Sequence, residues 1–301
     1  MPSMSIQPGE REKGDLQCLL RMARDEDLGP GDVTSALLPE GLAATAQFVA
    51  REPLVVCGAA LLAAIAQGYD PRIETRVHVA EGKGITAGTV LADWSGPARG
   101  MLSAERVALN FLQRLCGIAT VARRYVSAVA DTNARICDTR KTTPGWRHLE
   151  KYAVRCGGGR NHRAGLYDAV LVKDNHLAAL AAAGEADPLA ALGAALPEAR
   201  ASLREGGFVE VEVDTLGQLA RALTLDVDVI LLDNMSPEDL RRAVAMRDEA
   251  GKTGRIDLEA SGGITLETVN AVAATGVDTI SVGALTHSAT AVDIALDIAF
   301  G

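Results

Sequence analysis

Apolar and polar positions alternate in blocks through the second half of the chain. Six short runs rich in Val, Ile, Leu and Ala are separated by segments with apolar residues at helical spacing, a pattern typical of buried parallel strands joined by helices. The pattern therefore predicts an α/β fold built on a parallel β/α series. The predicted strands are Arg135–Asp138, Ala169–Val172, Phe208–Val213, Val229–Leu232, Asp257–Ala260 and Thr279–Val282.

A polar cluster follows each predicted strand. Active sites of β/α barrels lie where the C-terminal ends of the strands converge, so we expect these clusters to face one pocket. The interval Leu109–Ser288 holds about 180 residues, whereas a complete eightfold barrel takes about 250. We therefore predict an irregular, partly open barrel. The clusters are Thr139–Lys141, Lys173–His176, Asp214–Thr215, Asp233–Asn234, Ser261–Gly263, and Gly283 with Thr286–Ser288.

The first third of the chain has a different pattern of apolar and polar residues. Residues 1–14 are polar and aperiodic, which predicts a mobile, dispensable tail. Residues 15–108 begin with helical spacing and continue as short alternating runs, which predicts an α+β open sandwich domain, completed by residues 289–301. The spacing of apolar residues predicts a long helix over Ser103–Asp131, and residues 109–288 form the predicted barrel domain. The acids of Glu26–Ser35 are interpreted as caps of a helix end and a turn.

Composition and charge exclude several classes of protein. The 301 residues are 48% hydrophobic, which is globular, and 30 Lys and Arg against 39 Asp and Glu give a net charge of −9. An acidic chain does not suit general nucleic-acid binding, since that needs a basic face. No apolar run reaches membrane-span length and no leader pattern opens the chain, so we expect a cytoplasmic protein without membrane contact. The five cysteines lack ligand or framework spacing and are expected to be buried, reduced thiols.

A dense group of basic residues between Asp138 and His176 stands out against the negative net charge. Arg147, Lys151 and Arg155 have helical spacing and are interpreted as a solvated helix face. Five others follow strands or a glycine run and are interpreted as an anion site. They are Arg140, Lys141, His162, Arg163 and Lys173.

Glycines and acids complete the candidate chemistry. Ser261, Gly262 and Gly263 follow one late strand and Gly283 follows the next, where barrels commonly bind a phosphate on backbone amides. The triple glycine Gly157–Gly159 could approach an anion but is weak evidence alone. Glu212 and Asp233 end adjacent strands and could hold Mg²⁺ or ribose hydroxyls.

The motifs taken together resemble the quinolinate phosphoribosyltransferase family over about Glu26–Ser288. Cys116 and Arg160 depart from the residues common in that family, which are a serine and an apolar residue. The matching motifs are Glu105–Asn110 with Gly117–Thr120, Asp138–Thr142 with Pro144–Gly145, Gly157–Gly159 through Asn161–Arg163, Lys173–His176, Glu210–Asp214, Leu232–Asn234, Glu259–Gly263 and Val282–Ser288.

The resemblance implies an activity and a set of roles. The implied reaction joins quinolinate to phosphoribosyl pyrophosphate, giving nicotinate mononucleotide, pyrophosphate and CO₂ in NAD biosynthesis. The implied assembly is a homodimer, or a higher assembly, with shared active sites and no organic cofactor. The residues matching the quinolinate site are Arg106, which enters from the partner subunit, Arg140, His162, Arg163 and Lys173. Those matching the site for phosphoribosyl pyrophosphate and Mg²⁺ are Arg140, Lys141, Glu212 and Asp233, with Ser261, Gly262, Gly263 and Gly283 at the 5′-phosphate.

Two alternatives stay open at this point. One is a paralogous phosphoribosyltransferase of the same fold, either the relative associated with molybdate uptake or an enzyme that uses nicotinate. The other is a catalytically idle ligand-binding protein. The number of carboxylate-facing cations disfavours a monocarboxylate substrate, and Lys141, Glu212 and Asp233 disfavour an idle protein.

Overall fold

The computed structural model describes residues 6–301 in two compact units. The first consists of the chain up to Arg124, Lys141–Gly159 and Ala284–Gly301, and the second of Tyr125–Arg140 and Arg160–Gly283. Residues 141–159 belong to the first unit, although they lie within the region 109–288 that is predicted from the sequence to be one barrel domain. Residues 1–5 of the predicted tail lie outside the described residues.

Helices occupy much of the chain, and the long predicted helix is present. It extends over Ala98–Ala128 and so begins five residues before the predicted Ser103. The described helices are α1 (Glu10–Asp27), α2 (Leu62–Tyr69), α3 (Ala98–Ala128), α4 (Arg147–Gly157), α5 (Asp174–Ala182), α6 (Pro188–Ala201), α7 (Leu216–Ala222), α8 (Pro237–Glu249), α9 (Val269–Ala273) and α10 (Ala284–His287), with 3₁₀ turns at Ser35–Leu37 and Ala59–Leu61.

The strands form an antiparallel sheet in the first unit and a parallel sheet in the second. A short pair, β2 with β4, also lies in the first unit. The strands are β1 (Ala43–Ala50), β2 (Leu54–Val55), β3 (Glu74–Val77), β4 (Gly84–Ile85), β5 (Val90–Pro97), β6 (Arg135–Cys137), β7 (Val170–Val172), β8 (Val209–Val213), β9 (Val229–Asp233), β10 (Asp257–Ser261), β11 (Thr279–Ser281) and β12 (Ile294–Phe300).

The sheet of the first unit has the order β12-β1-β5-β3. Along β1 the side chains alternate between exposed and buried up to Phe48, because successive residues of a strand point to opposite faces. Phe48 and Trp94 are both fully buried and meet edge to face, with ring centroids 4.8 Å apart. The last strand, β12, pairs antiparallel with the first, β1, so residues far apart in sequence share one sheet.

The N-terminal segment differs from the predicted tail. Helix α1 begins at Glu10, and Glu12 is only 8% exposed. The Oε1 atom of Glu12 accepts a hydrogen bond from Nη2 of Arg155 at 2.7 Å. The prediction of a mobile tail is therefore wrong for residues 10–14, because a contact distant in sequence holds this polar stretch.

The parallel sheet of the second unit has the strand order of a barrel. Its order is β6-β11-β10-β9-β8-β7, so sequential strands are neighbours from β7 to β11, and β11 lies next to β6. In the described residues β6 does not pair with β7; Cys137 instead forms an isolated bridge with Arg160. This is the partly open barrel that the sequence predicts, and all six predicted strands are present within one residue at each end.

Helix α4 corrects two expectations. Lys151 is 3% exposed, so the prediction of a solvated basic face is wrong, because α4 is buried on most of its circumference. Gly157 ends the helix where a Cβ would lie 2.4 Å from the Cβ of Ala122, and Gly158 caps it with φ +96°. Close packing and helix termination therefore account for the first two residues of the triple glycine.

The cysteines are all free, as expected. Four are buried, but Cys18 is exposed on α1, contrary to the prediction for the set. None of the helices in the described part of the chain combines the length and hydropathy of a membrane span.

Candidate active site

The predicted site residues divide between the two units. Arg106 and Lys141 belong to the first unit, whereas Arg140, directly before Lys141, belongs to the second. The second unit also holds the remaining nine, at or just beyond the C-terminal ends of its parallel strands. These are His162, Arg163, Lys173, Glu212, Asp233, Ser261, Gly262, Gly263 and Gly283.

Arg140 and Arg163 form a pair of like charges. Arg163 is 8% exposed, and its Nη1 donates to the carbonyl of Ala169 at 3.2 Å. Burial, and then repulsion by Arg140, lower the pKa of Arg163, while Glu210 and Asp168 oppose that shift. A buried guanidinium that also feels the like charge of a second arginine favours the binding of an anion.

The loop before Arg163 is fixed by a buried acid. Asp138, directly after β6, is fully buried, and its carboxylate accepts hydrogen bonds from the side chain of Asn161 at 2.5 Å and the backbone N–H of His162 at 2.9 Å. The bridge between Cys137 and Arg160 lies alongside. This loop therefore continues the edge of β6 and holds His162 and Arg163 at the end of the barrel strands.

Lys173 and Glu212 form an ion pair. Val172 and Val211 are partners in the register of β7 and β8, so the next residues, Lys173 and Glu212, are neighbours at the strand ends. The Lys173 side chain remains 45% exposed and that of Glu212 is 9% exposed. A cation and an acid expected to serve different ligands thus contact each other directly.

Asp233 ends the strand next to that of Glu212. It is half-buried, and one carboxylate oxygen accepts a hydrogen bond from the side chain of Asn234 at 2.6 Å. Glu212 and Asp233 thus place two carboxylates on adjacent strand ends. Two carboxylates are too few to enclose Mg²⁺, but they fit an ion bound mainly through the phosphates of a ligand.

The glycine loop after β10 approaches Asn234 closely. The backbone N–H of Asn234 donates to the carbonyl of Ser261 at 2.9 Å, and Asn234 has a φ of 53°. A Cβ on Gly262 would lie 2.1 Å from Oδ1 of Asn234, and the φ of Gly262 is +95°. Only glycine fits this position without rearrangement. Because β10 pairs with β11, the loop and Gly283 follow neighbouring strands, as a phosphate site requires.

Two buried acids were not assigned a role from the sequence. Glu210 is fully buried and Glu259 is 3% exposed, and both lie close to His162. Burial, and then repulsion by Glu210, raise the pKa of Glu259 to about 7, although a hydrogen bond from Ser281 opposes this. The sequence did contain a signal for Glu210, which is a charged residue inside an otherwise apolar strand. Because side chains alternate along a strand, Glu210 also lies on the same face as Glu212, two residues later.

Arg106 lies on helix α3 in the first unit and is exposed. It lines a cavity of about 280 Å³ together with Met22, Glu26, Asn110 and Trp146. Within the described residues Arg106 forms no ion pair, and none with its sequence neighbour Glu105. Lys141 is exposed as well, and its carbonyl accepts a hydrogen bond from the hydroxyl of Thr286 at 2.7 Å.

Comparisons with known proteins match nearly the whole chain. Family models described as quinolinate phosphoribosyl transferase, N-terminal domain and C-terminal domain, match residues 32–116 and 118–297. The nicotinate-nucleotide pyrophosphorylase (carboxylating) of Mycobacterium leprae is 44% identical over 287 residues, 93% of this chain and 95% of that protein. The probable enzyme of the same name from Bacillus subtilis is 42% identical over 273 residues, 91% of this chain and 90% of its own length.

Solved structures agree with the sequence relatives. The nicotinate-nucleotide pyrophosphorylase of Francisella tularensis has a TM-score of 0.85 at 35% identity, covering 98% of this chain and 100% of its own. The protein of that name from Ehrlichia chaffeensis has a TM-score of 0.82 at 36% identity, covering 94% of this chain and 98% of its own.

Proposed function

This chain belongs to the quinolinate phosphoribosyltransferase family, and we propose that its barrel unit recognises quinolinate through Arg140, Arg163 and Lys173. The enzyme is a decarboxylating phosphoribosyltransferase: it joins quinolinate to phosphoribosyl pyrophosphate and releases pyrophosphate and CO₂ in de novo NAD biosynthesis. The single observation that carries the substrate assignment is the buried guanidinium of Arg163, on which the like charge of Arg140 acts.

The charge of the substrate decides between the alternatives. One cation about 4 Å from a carboxylate contributes about 4 kcal/mol at an effective dielectric near 20, so removing a dicarboxylate from water requires several cations. Arg140 and Arg163 supply two, and Lys173 is a third once it leaves Glu212. A monocarboxylate such as nicotinate would leave part of this charge uncompensated, which disfavours the nicotinate-using paralogue.

The arrangement supports a reaction in two stages. The cations hold the pyridine ring so that its nitrogen attacks C1′ of the ribose while pyrophosphate leaves, and positive charge develops on the ribose. The quaternised ring nitrogen then stabilises the carbanion left when the adjacent carboxylate departs as CO₂. Lys141 contacts the departing pyrophosphate, while Ser261, Gly262, Gly263 and Gly283 bind the 5′-phosphate through their backbone N–H groups.

Glu212 and Asp233 would hold Mg²⁺ together with the pyrophosphate of the substrate. The ion would supply charge neutralisation for the leaving group. The fit rests on two carboxylates at adjacent strand ends, one of them held by Lys173. If Lys173 turned to the substrate carboxylates, the carboxylate of Glu212 would be free to hold the ion, and the two ligands would support each other's binding.

The assembly is a homodimer in which Arg106 serves the active site of the other subunit. Its exposed position on α3, in a cavity of the first unit and without an ion pair in the described chain, supports an intermolecular role. The implied site is shared, since the other quinolinate-binding residues come from the second unit of the opposite chain.

Equilibrium binding tests the recognition of a dicarboxylate. Calorimetric titration of the protein should show quinolinate binding at least about tenfold more tightly than nicotinate, because the second carboxylate finds its own cations. Arg163→Ala should remove most of this difference, whereas Arg242→Ala, an exposed arginine on α8, should keep it. Equal affinity of the wild-type protein for both acids would contradict the proposal.

A further inference from the structure

Three carboxylates and one imidazole are buried together in the second unit. Asp138 and Glu210 are fully buried and Glu259 is 3% exposed, while the side chain of His162 is 9% exposed. Carboxylates without compensation are strongly unfavourable in such a position. A cluster of this kind beside an active site therefore calls for a functional explanation.

Both nitrogens of the His162 ring are engaged. Nδ1 accepts a hydrogen bond from the backbone N–H of Arg163 at 2.8 Å, so it has no proton, and the ring proton lies on Nε2. Nε2 is 3.0 Å from Oε2 of Glu210 and 3.6 Å from Oε2 of Glu259. A nitrogen that carries a proton does not coordinate a metal, so this arrangement favours a hydrogen-bonded cluster over a cation site.

The contact between His162 and Glu210 has the distance of a hydrogen bond but not its angles. The separation of 3.0 Å between Nε2 and Oε2 is that of a hydrogen bond, yet within the described residues neither oxygen of Glu210 has a donor at hydrogen-bonding angles. The distance is the stronger observation, because a small rotation of the ring aligns Nε2–H with Glu210 and leaves both backbones in place. The edge of the ring against Phe208, with centroids 5.4 Å apart, limits larger rotations.

Glu210 acts on Arg163 by two routes. Through the ring it supports the His162–Arg163 turn, whose backbone N–H groups are bound by Asp138 and by the ring itself. Directly, its negative charge raises the pKa of Arg163 against the effects of burial and of Arg140. Both routes act on the guanidinium of Arg163, which is proposed to bind the substrate.

We propose that Glu210 is a positioning residue of the active site: it holds His162 as an uncharged ring protonated on Nε2, and this ring fixes the backbone that presents Arg163 to the substrate. The inference rests on the proposed role of Arg163 in binding quinolinate. His162 then supports the carboxylate-binding cations and is not itself one of them.

The state of the ring is measured first, without any substrate. Nitrogen-15 NMR of histidine-labelled protein at neutral pH should show one protonated and one bare nitrogen for His162, which is identified among the five histidines by the loss of its signals in His162→Gln. Glu210→Gln should keep this pattern, because the amide oxygen still accepts the Nε2 proton. Two protonated nitrogens in the wild-type protein would overturn the proposal.

A double-mutant cycle measures the coupling. Glu210→Ala should lower kcat/KM for quinolinate about 10- to 100-fold, with KM for phosphoribosyl pyrophosphate changed less than about twofold. In a His162→Ala background the same change should add less than about threefold, because the ring is gone and Arg163 stays charged at neutral pH without the direct effect of Glu210. Glu249→Ala, which removes an exposed glutamate on α8, is the matched control and should have no effect.

The outcomes distinguish the positioning role of Glu210 from the proposed role of Arg163 in binding quinolinate. If the losses in kcat/KM of the two single variants multiply in the double variant, the positioning role is overturned, since a purely structural effect of Glu210 does not depend on His162. Coupling between the two residues with equal changes in both KM values would support the positioning role but contradict the assignment of Arg163 to quinolinate. If Glu210→Ala does not fold, the cycle is made with Glu210→Gln, for which the proposal predicts a loss below about threefold, and a larger loss would overturn it.

Discussion

Lys173 and Glu212 form an ion pair across the ends of neighbouring strands β7 and β8. In the proposed function Lys173 binds the carboxylates of quinolinate, and Glu212 holds Mg²⁺ together with phosphoribosyl pyrophosphate. Each of the two side chains partially neutralises the charge of the other. The pair thereby reduces the cost of burying the carboxylate of Glu212, whose side chain is only 9% exposed.

Dependence on a divalent ion follows from this arrangement. Activity should require Mg²⁺ or Mn²⁺ and disappear with excess chelator, because a pyrophosphate cannot be held next to Glu212 and Asp233 without a cation between them. Glu212→Gln should raise the Mg²⁺ concentration for half-maximal rate, and Glu249→Gln should leave it unchanged. Full turnover in excess chelator would refute the metal assignment.

Subunit mixing tests the shared site. Arg106→Ala should lose about 10²- to 10³-fold in kcat/KM for quinolinate, since removing one partner of a desolvated charge pair costs about 2–5 kcal/mol. Lys141→Ala should be similarly inactive. After random exchange half of the dimers contain one subunit of each variant and one intact pocket of two, so about a quarter of wild-type activity should return. No recovery despite verified exchange would place the whole site within one subunit.

The N-terminal helix should contribute to stability, contrary to the expectation from sequence. Glu12→Gln weakens the contact with Arg155. The side chain of Arg155 keeps 36% exposure, so water compensates in part. We expect a loss of about 1 kcal/mol or less, or about 2 °C in Tm for a chain of this size. Deleting residues 1–14 should lower Tm further. Glu10→Gln, at a side chain 91% exposed, is the control, and an unchanged Tm in the deletion variant would restore the prediction of a dispensable tail.

Glu259 should make stability depend on pH. Its pKa in the folded protein, about 7, is above its ordinary value of 4.5, so between these values the folded state binds a proton that the unfolded state has lost. Stability therefore falls as pH rises from about 4.5 to about 7 and stays lower above that range. Thermal unfolding between pH 5 and 8 should show a smaller decline for Glu259→Gln than for the wild type, whereas Glu249→Gln should follow the wild type. Parallel curves for Glu259→Gln and the wild type would show that Glu259 titrates normally.

Periodicity predicted the strands because burial imposes a local pattern. Val209–Val213 is apolar apart from its two acids, and the cluster after it marks the strand end, so the position of Glu212 could be predicted. The contacts of Glu12 and Glu210 could not, since each depends on a residue distant in sequence, Arg155 or His162. Lys151 likewise has the composition of a surface residue and is buried only because α4 is surrounded on most sides.

Release of CO₂ tests the central claim most directly. Quinolinate labelled in the carboxylate next to the ring nitrogen is incubated with the protein, Mg²⁺ and phosphoribosyl pyrophosphate, and the released CO₂ is counted against the pyrophosphate formed. The account predicts equal amounts of both products, none without phosphoribosyl pyrophosphate, and little pyrophosphate when nicotinate replaces quinolinate. Pyrophosphate formed from nicotinate at a comparable rate, or quinolinate bound without any release of CO₂, would contradict it.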